Sequence, residues 1–181
     1  MLNTLTKMLR IARNFSISSR RLISKGDRIP STPLAEDSPA TNVDLAKETS
    51  EGTYLLVGVP GAFSPGCSQS HIPGYLIHEK LFQDRGIKNL FVVAVNDAFT
   101  TSAWKKNLEA ADDKWIRILS DASGAFSKEI GTLFDASKFF GNERSKRFAA
   151  IIKDGEVVEA FVEPDSTGID VSSARKVLEA I

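Results

Sequence analysis

Cysteine occurs once in the 181-residue sequence, at position 67. A lone cysteine is commonly a small buried hydrophobe, but the surroundings of Cys67 point elsewhere. It follows the turn Pro60-Gly61-Ala62-Phe63-Ser64-Pro65-Gly66, which itself follows an apolar run. The thiol should therefore fall in the first turn of a helix, at the carboxyl edge of a sheet, where ligands bind in open α/β folds. Unpaired N–H groups and the positive end of the helix dipole favour a thiolate there, and the thiolate is the nucleophile. His71, four residues on, could share a helical face with Cys67 as its base; an exposed polar histidine is an equally open reading. Ser64 lies between Gly61 and Gly66, one residue too far apart for a hydrolase nucleophile elbow. A CxxC pair and a Gly-rich phosphate loop are both missing from the sequence. One cysteine excludes an intrachain disulfide, and with only His71 and His78 beside it neither a metal site nor a cofactor is expected.

The elements that must position this turn follow from apolar patterning. Thr53 to Val59 and Asn89 to Val95 are nearly continuous apolar runs, which suits strands buried on both faces. Between them, Ile72, Leu76, Ile77, Leu81 and Phe82 recur at helical spacing in a segment running from Pro65 to Asp84, with Pro73 expected to kink it. A helix over Phe99 to Ala110, a strand over Trp115 to Leu119 and a short helix over Ala125 to Ile130 follow. Arg147 to Lys153 and Glu156 to Val162 flank Asp154-Gly155, a strong hairpin signal. Ser172 to Ile181 closes the chain as a helix capped by Asp170 or Ser172. The order β-α-β-α-β-α-β-β-α predicts an α/β, thioredoxin-like fold: a mixed central sheet, helices on both faces, and a C-terminal β-hairpin plus helix.

Lys plus Arg and Asp plus Glu number 23 each, which argues against nucleic acid as a partner. The balance hides an asymmetry. Met1 to Lys25 holds six basic residues and no acidic one, leaving 17 basic against 23 acidic groups in the remainder. Leu2, Leu5, Met8, Leu9, Ala12 and Phe15 fall on one helical face, Lys7, Arg10 and Arg13 on the other, and Ser16, Ser18 and Ser19 follow. Amphipathic, Arg-rich, Ser-rich and free of acid describes a mitochondrial transit peptide, with a membrane-surface or partner-binding helix as the rival. Residues 1–25 are thus read as a matrix-targeting segment, cleaved near Ser16 or Leu22, and 26–181 as one domain. Gly26 to Gly52 reads as a polar lead-in before the folded pattern. No apolar run approaches the ~18 residues of a membrane span.

Gly58-Val59-Pro60-Gly61-Ala62-Phe63-Ser64-Pro65-Gly66-Cys67, continuing through Ser70-His71-Ile72-Pro73-Gly74-Tyr75, resembles the active-site signature of peroxiredoxins. The similar branch contains peroxiredoxin 5 and the type II plant and fungal enzymes. The likeness extends through Val95-Asn96-Asp97-Ala98-Phe99 with Trp104, Gly141-Asn142-Glu143-Arg144 leading to Arg147-Phe148, and Glu163-Pro164-Asp165 with Thr167-Gly168. The resemblance implies a thiol peroxidase in which Cys67 attacks the peroxide. It implies Ser64 as hydroxyl partner, Arg147 as positioning cation and Pro60 as a shield against water.

Two departures stand out. Most relatives carry threonine where Ser64 stands, and the methyl lost with it limits rotation. Relatives that resolve their own sulfenic acid carry a second cysteine, either N-terminally or where this chain has Val171. An external thiol, glutathione with glutaredoxin or thioredoxin, is therefore expected to resolve Cys67. A homodimer touching the active-site loops and the neighbourhood of Trp104 is implied as well. Two alternatives use the same fold: a redox relay that passes oxidation from Cys67 to partner proteins, and a binding or holdase module with an inert thiol.

Overall fold

The segment from Gly26 to Gly52, expected as a lead-in, is folded. In the computed structural model, which describes residues 21–181, it forms an antiparallel hairpin of β1 (Leu34–Glu36) and β2 (Ser38–Val43), followed by a helical turn, α1 (Leu45–Glu48). Ile29, Leu34, Val43 and Leu45 are buried. They are too widely spaced to display a period, because four consecutive residues of β2 face solvent and only the ends of the hairpin meet the core. Asp44 caps α1 by accepting from the Ala46 N–H. The amphipathic pattern over residues 2–15 lies outside the described residues.

The strands expected from apolar runs are present: β3 (Thr53–Val59), β4 (Ile87–Ala94) and β5 (Ile116–Ser120) run parallel to one another. A small separate sheet pairs β6 (Leu133–Asp135) with β7 (Glu143–Ser145). β8 (Phe148–Lys153) lies antiparallel to β3, and β9 (Glu156–Val162) antiparallel to β8. Their turn uses Asp154 and Gly155 at φ 51° and 77°, the left-handed conformations that a tight hairpin needs. The main sheet has the order β2-β1-β5-β4-β3-β8-β9, a thioredoxin-like arrangement.

The pleat sends alternate residues to opposite cores. Leu55, Val57 and Val59 join Ile72, Tyr75, Phe82, Trp104 and Val177 on one face. Tyr54 and Leu56 join Leu45, Phe91, Phe126 and Ile152 on the other. Each such fully buried side chain contributes about 1.5–3 kcal/mol. The helices that cover the first face begin at the turn that carries Cys67. A π-turn over Cys67–His71 runs into α2 (Ile72–Ile77), and α3 (Glu79–Asp84) follows after a break at His78. The expected kink at Pro73 takes the form of this π-turn. The Ile72 N–H reaches back five residues to the Cys67 carbonyl, and Pro73 has no N–H to continue a regular ladder. α4 (Ala98–Asn107), α5 (Ala125–Glu129) and α6 (Ser137–Phe140) follow.

The last helix, α7 (Ala174–Leu178), is shorter than expected and starts after Ser173 rather than Asp170 or Ser172. Glu163 is the reason. Its Oε1 accepts from the backbone N–H of Asp170 (2.8 Å), and from the N–H and hydroxyl of Ser172 (2.9 and 2.7 Å), so Ser172 faces inward.

Candidate active site

The helix that carries Cys67 starts at Pro65, with Ser64 before it as the cap residue whose carbonyl takes the Ser68 N–H at 2.9 Å. Proline is suited to a first helical position, since the N–H it lacks would be orphaned there. Cys67 then occupies the third position, where N–H groups have no carbonyl in a preceding turn. The turn is fixed from the bend that follows β4, because the Asn96 side chain accepts the Ala62 N–H at 3.0 Å. Phe63 at its tip takes φ 62° and is half exposed, an uncommon backbone state for an aromatic residue.

Arg147 enters from the other end of the sequence. β8 is antiparallel to β3 with Phe148 opposite Gly58, so its first residues lie at the edge where β3 ends. A Cβ on Gly58 would stand 2.1 Å from the Phe148 ring; only glycine lets the two strands pair here. Arg147, one residue before β8, is 3% exposed. Its N–H donates to the Ser166 carbonyl (2.7 Å), its carbonyl accepts from the Glu163 N–H (3.0 Å), and its Nε donates to the Thr167 carbonyl (3.0 Å). Thus held, Nη1 lies 3.3 Å from Sγ of Cys67, across 80 residues of sequence. Cys67 itself has no exposed surface.

Of the residues singled out in the sequence, Cys67 and Arg147 meet directly. Ser64 is on the same turn, but its hydroxyl donates to the Gly61 carbonyl at 2.9 Å; a χ1 rotation would be needed to turn it toward sulfur. Pro60 is buried between β3 and that turn. His71 is neither exposed nor paired with Cys67. It is 1% exposed, with Nδ1 3.1 Å from Nη1 of Arg147 and Nε2 3.0 Å from the Ser172 carbonyl oxygen. Burial, reinforced by the Arg147 charge and opposed by the Ser172 carbonyl, pulls its pKa from 6.5 down to about 3. A base for the thiol it therefore is not: the guanidinium stands between them.

Sequence reasoning assigned no role to Glu163 or Tyr75 and read Ser172 only as a cap. The Tyr75 hydroxyl donates to the Ser172 carbonyl at 2.7 Å, and burial together with the nearby Glu163 pushes its pKa well above the ordinary value. The signal that could have found Glu163 and Ser172 was the cluster of polar residues in 163–173 ahead of an apolar helix; Tyr75 read only as an apolar helix position. Trp104 is wholly buried and donates to the Ser68 hydroxyl at 2.9 Å, beside Cys67.

A guanidinium against a buried thiol at a helix start can stabilise a thiolate and, as it attacks, negative charge leaving on an oxygen. Comparison with known proteins agrees with this chemistry. The Redoxin family model matches residues 24–178. The peroxisomal membrane associated protein 20 of Schizosaccharomyces pombe is 42% identical over 88% of this chain and 100% of its own. The chloroplastic peroxiredoxin-2E of Arabidopsis thaliana is 34% identical over 88% of this chain and 69% of its own. Among solved structures, peroxiredoxin 5 of Alvinella pompejana superposes with a TM-score of 0.77 at 34% identity, covering 87% of this chain and 97% of its own. Reduced Prx3 of Vibrio vulnificus in complex with H2O2 does so with a TM-score of 0.79 at 32% identity, covering 88% and 100%.

Proposed function

The chain belongs to the peroxiredoxin family, in the branch of peroxiredoxin 5 and the type II enzymes, and we propose that this peroxidase reduces hydrogen peroxide and organic hydroperoxides through a sulfenic acid at Cys67 that an external thiol resolves. The observation that carries the reading is the 3.3 Å approach of Arg147 Nη1 to the Cys67 sulfur. The H2O2 found with the similar Vibrio Prx3 supports hydrogen peroxide as one substrate.

In the reaction, the thiolate attacks one peroxide oxygen, the O–O bond breaks, and the other oxygen leaves as ROH after taking up a proton. Ionisation of the thiol explains little of the rate, because nucleophilicity falls as thiol pKa falls. The work lies in gripping the oxygens as charge develops. Three of the five Arg147 N–H groups are committed, to Thr167, His71 and the sulfur. The two on Nη2 have no protein acceptor among the described residues and are free to hold a peroxide oxygen. Helix-start N–H groups and a rotated Ser64 hydroxyl complete the grip, and the buried Pro60 keeps water out.

A thiol R′SH then converts the sulfenic acid to a mixed disulfide and water, and a second thiol frees Cys67 as R′SSR′ departs. A sulfur without exposed surface favours a small thiol, so glutathione with glutaredoxin is preferred over thioredoxin and over a relay to client proteins. A reductant panel on the mature chain decides between them. The central test is Cys67→Ser: peroxide consumption should vanish while the fold persists, and near-normal turnover would end the proposal.

We further propose a mitochondrial matrix location, supported by the segregated charge of residues 1–25. Because Ile23 is buried and its N–H donates to the Ile130 carbonyl at 2.9 Å, cleavage should leave Ile23 in the mature chain. N-terminal sequencing that returned Met1 would refute processing, and a peroxisomal or plastid address would appear as mislocalisation of a residue 1–25 fusion. The implied homodimer is supported by three exposed aromatics, Phe63, Phe99 and Phe139.

A further inference from the structure

Behind Arg147, three polar residues do no part of the chemistry above: His71, Ser172 and Glu163. Each is at most 2% exposed, and they form one directed chain of hydrogen bonds. The backbone N–H groups of Asp170 and Ser172 can only donate, and both donate to Oε1 of Glu163 (2.8 and 2.9 Å). The Ser172 hydroxyl commits its proton to the same oxygen at 2.7 Å, so it presents a lone pair to Nε2 of His71, 3.3 Å away. The other neighbour of Nε2, the Ser172 carbonyl oxygen at 3.0 Å, is also an acceptor. Two acceptors place the imidazole proton on Nε2. Nδ1 is then a bare lone pair, facing an Nη1 proton of Arg147 at 3.1 Å while the second Nη1 proton faces the sulfur at 3.3 Å.

We propose that Ser172 and Glu163, which touch neither sulfur nor peroxide, are positioning residues for peroxide reduction: they set the tautomer of His71, and His71 in that tautomer fixes the Arg147 guanidinium against Cys67. The inference rests on the peroxidase reading of Cys67 and Arg147. In the opposite tautomer, Nδ1–H and an Arg147 N–H would face each other as two donors, and the guanidinium would turn. Protonation of His71 would do the same. The groups around the ring are Arg147, Cys67, Tyr75 and, through Ser172, Glu163; burial and the Arg147 charge hold the ring neutral, with a pKa of about 3.

The test is a double-mutant cycle on the mature chain, read as the single-turnover rate of H2O2 with Cys67 by tryptophan fluorescence, since Trp104 bonds to Ser68 next to the nucleophile. His71→Leu should slow oxidation by about 10–100-fold, in the range expected for a displaced transition-state donor. His71→Gln, whose amide offers an oxygen to Arg147 and an N–H to Ser172, should recover to within about threefold of the native rate. Ser172→Ala should slow it about 3–10-fold, and His71→Leu with Ser172→Ala should be no slower than His71→Leu alone, because one acts through the other. Additive effects, or a His71→Leu chain at the native rate, would overturn the proposal. Imidazole 15N NMR at neutral pH should show the Nε2–H form in the native chain, and this readout needs no turnover. An Nδ1–H resonance in a chain that still reduces peroxide would defeat the tautomer assignment alone. An Nε2–H resonance in a chain that never oxidises at Cys67 would defeat the peroxidase reading, and the positioning role with it.

Discussion

Arg117 and Arg147 both lie against the sheet, one in β5 and one just before β8, and each is held by several hydrogen bonds. Their partners differ in kind. Arg117 donates to the Glu36 carboxylate through Nε (3.0 Å) and Nη2 (2.6 Å), donates to Glu48 through Nη1 (2.6 Å), and covers the Phe91 ring at 5.3 Å. The Glu36 bond, opposed by partial burial, raises its pKa. Arg147 is more deeply buried, yet its side chain meets a backbone carbonyl, a neutral imidazole and a thiol, with no carboxylate at ion-pair distance among the described residues. A cation matched by carboxylates spends its field on the fold, here tying the N-terminal hairpin to the sheet. A cation held only by neutral acceptors keeps its field for whatever charge enters the site.

The sharpest way to break this comparison is to delete each guanidinium. Arg147→Ala should lower the rate of Cys67 oxidation by roughly 10²–10³-fold, the usual cost of losing a transition-state donor, as stopped-flow kinetics would show. Arg117→Ala should leave that rate unchanged and instead cost about 1–3 kcal/mol of stability in denaturant titrations, because Glu36 loses its partner in a partly buried place. If Arg117→Ala slowed peroxide reduction as much as Arg147→Ala, the division between the two cations would be wrong.

Acid should expose the second difference, the neutral imidazole that Arg147 leans on. The His71 pKa lies near 3 in the folded chain against 6.5 ordinarily. The unfolded chain therefore binds the extra proton first, and the stability His71 confers is complete above about pH 6.5 and declines as pH falls toward 3. At about 1.4 kcal/mol per pH unit, about 2 kcal/mol is lost by pH 5. Urea titrations at pH 7 and 5 should show that loss in the native chain and a smaller one in His71→Gln; equal losses would mean the ring titrates normally.

A smaller effect concerns space beside the free nitrogen of Arg147. A Cβ at Gly66 would stand 3.1 Å from Nη2, whereas one at Gly74 in α2 meets only the Ala174 Cβ at 3.9 Å. Gly66→Ala should slow oxidation by a few-fold up to about tenfold through a displaced guanidinium. Gly74→Ala should leave the rate alone and add about 0.5–1 kcal/mol of stability from helix propensity, measured by thermal melts. With one equivalent of peroxide and no thiol, intact-mass analysis should find a single added oxygen per chain, trappable by dimedone. A predominant disulfide dimer would contradict the recessed position of Cys67, since two such sulfurs could not reach bonding distance.

Legibility divides along the same line. Strands β3 and β4 were readable because both their faces are buried and their apolar runs are continuous, whereas β5 was readable from alternation, and β8 and the edge strand β9 from partly alternating runs on either side of the Asp154-Gly155 turn. The β1–β2 hairpin was not, since its core contacts come from isolated residues such as Leu34 and Val43. The irregularity around the π-turn was legible as a kink at Pro73, but the break at His78 was missed because the helical spacing of Ile72, Leu76 and Phe82 persists across it.

The sequence by itself determined the nucleophile. A buried strand, a Pro-Gly turn and a helix start are local features within about fifteen residues, and together they place Cys67 whatever the rest of the chain does. Tertiary structure alone decided what surrounds it. Arg147 lies 80 residues away and reaches the sulfur because β8 runs antiparallel to β3, so that it begins where β3 ends. Ser172 lies 101 residues from the histidine it orients. Which histidine nitrogen carries the proton, and whether an arginine faces carboxylates or carbonyls, depends on packing between distant segments, and no spacing in the chain encodes that.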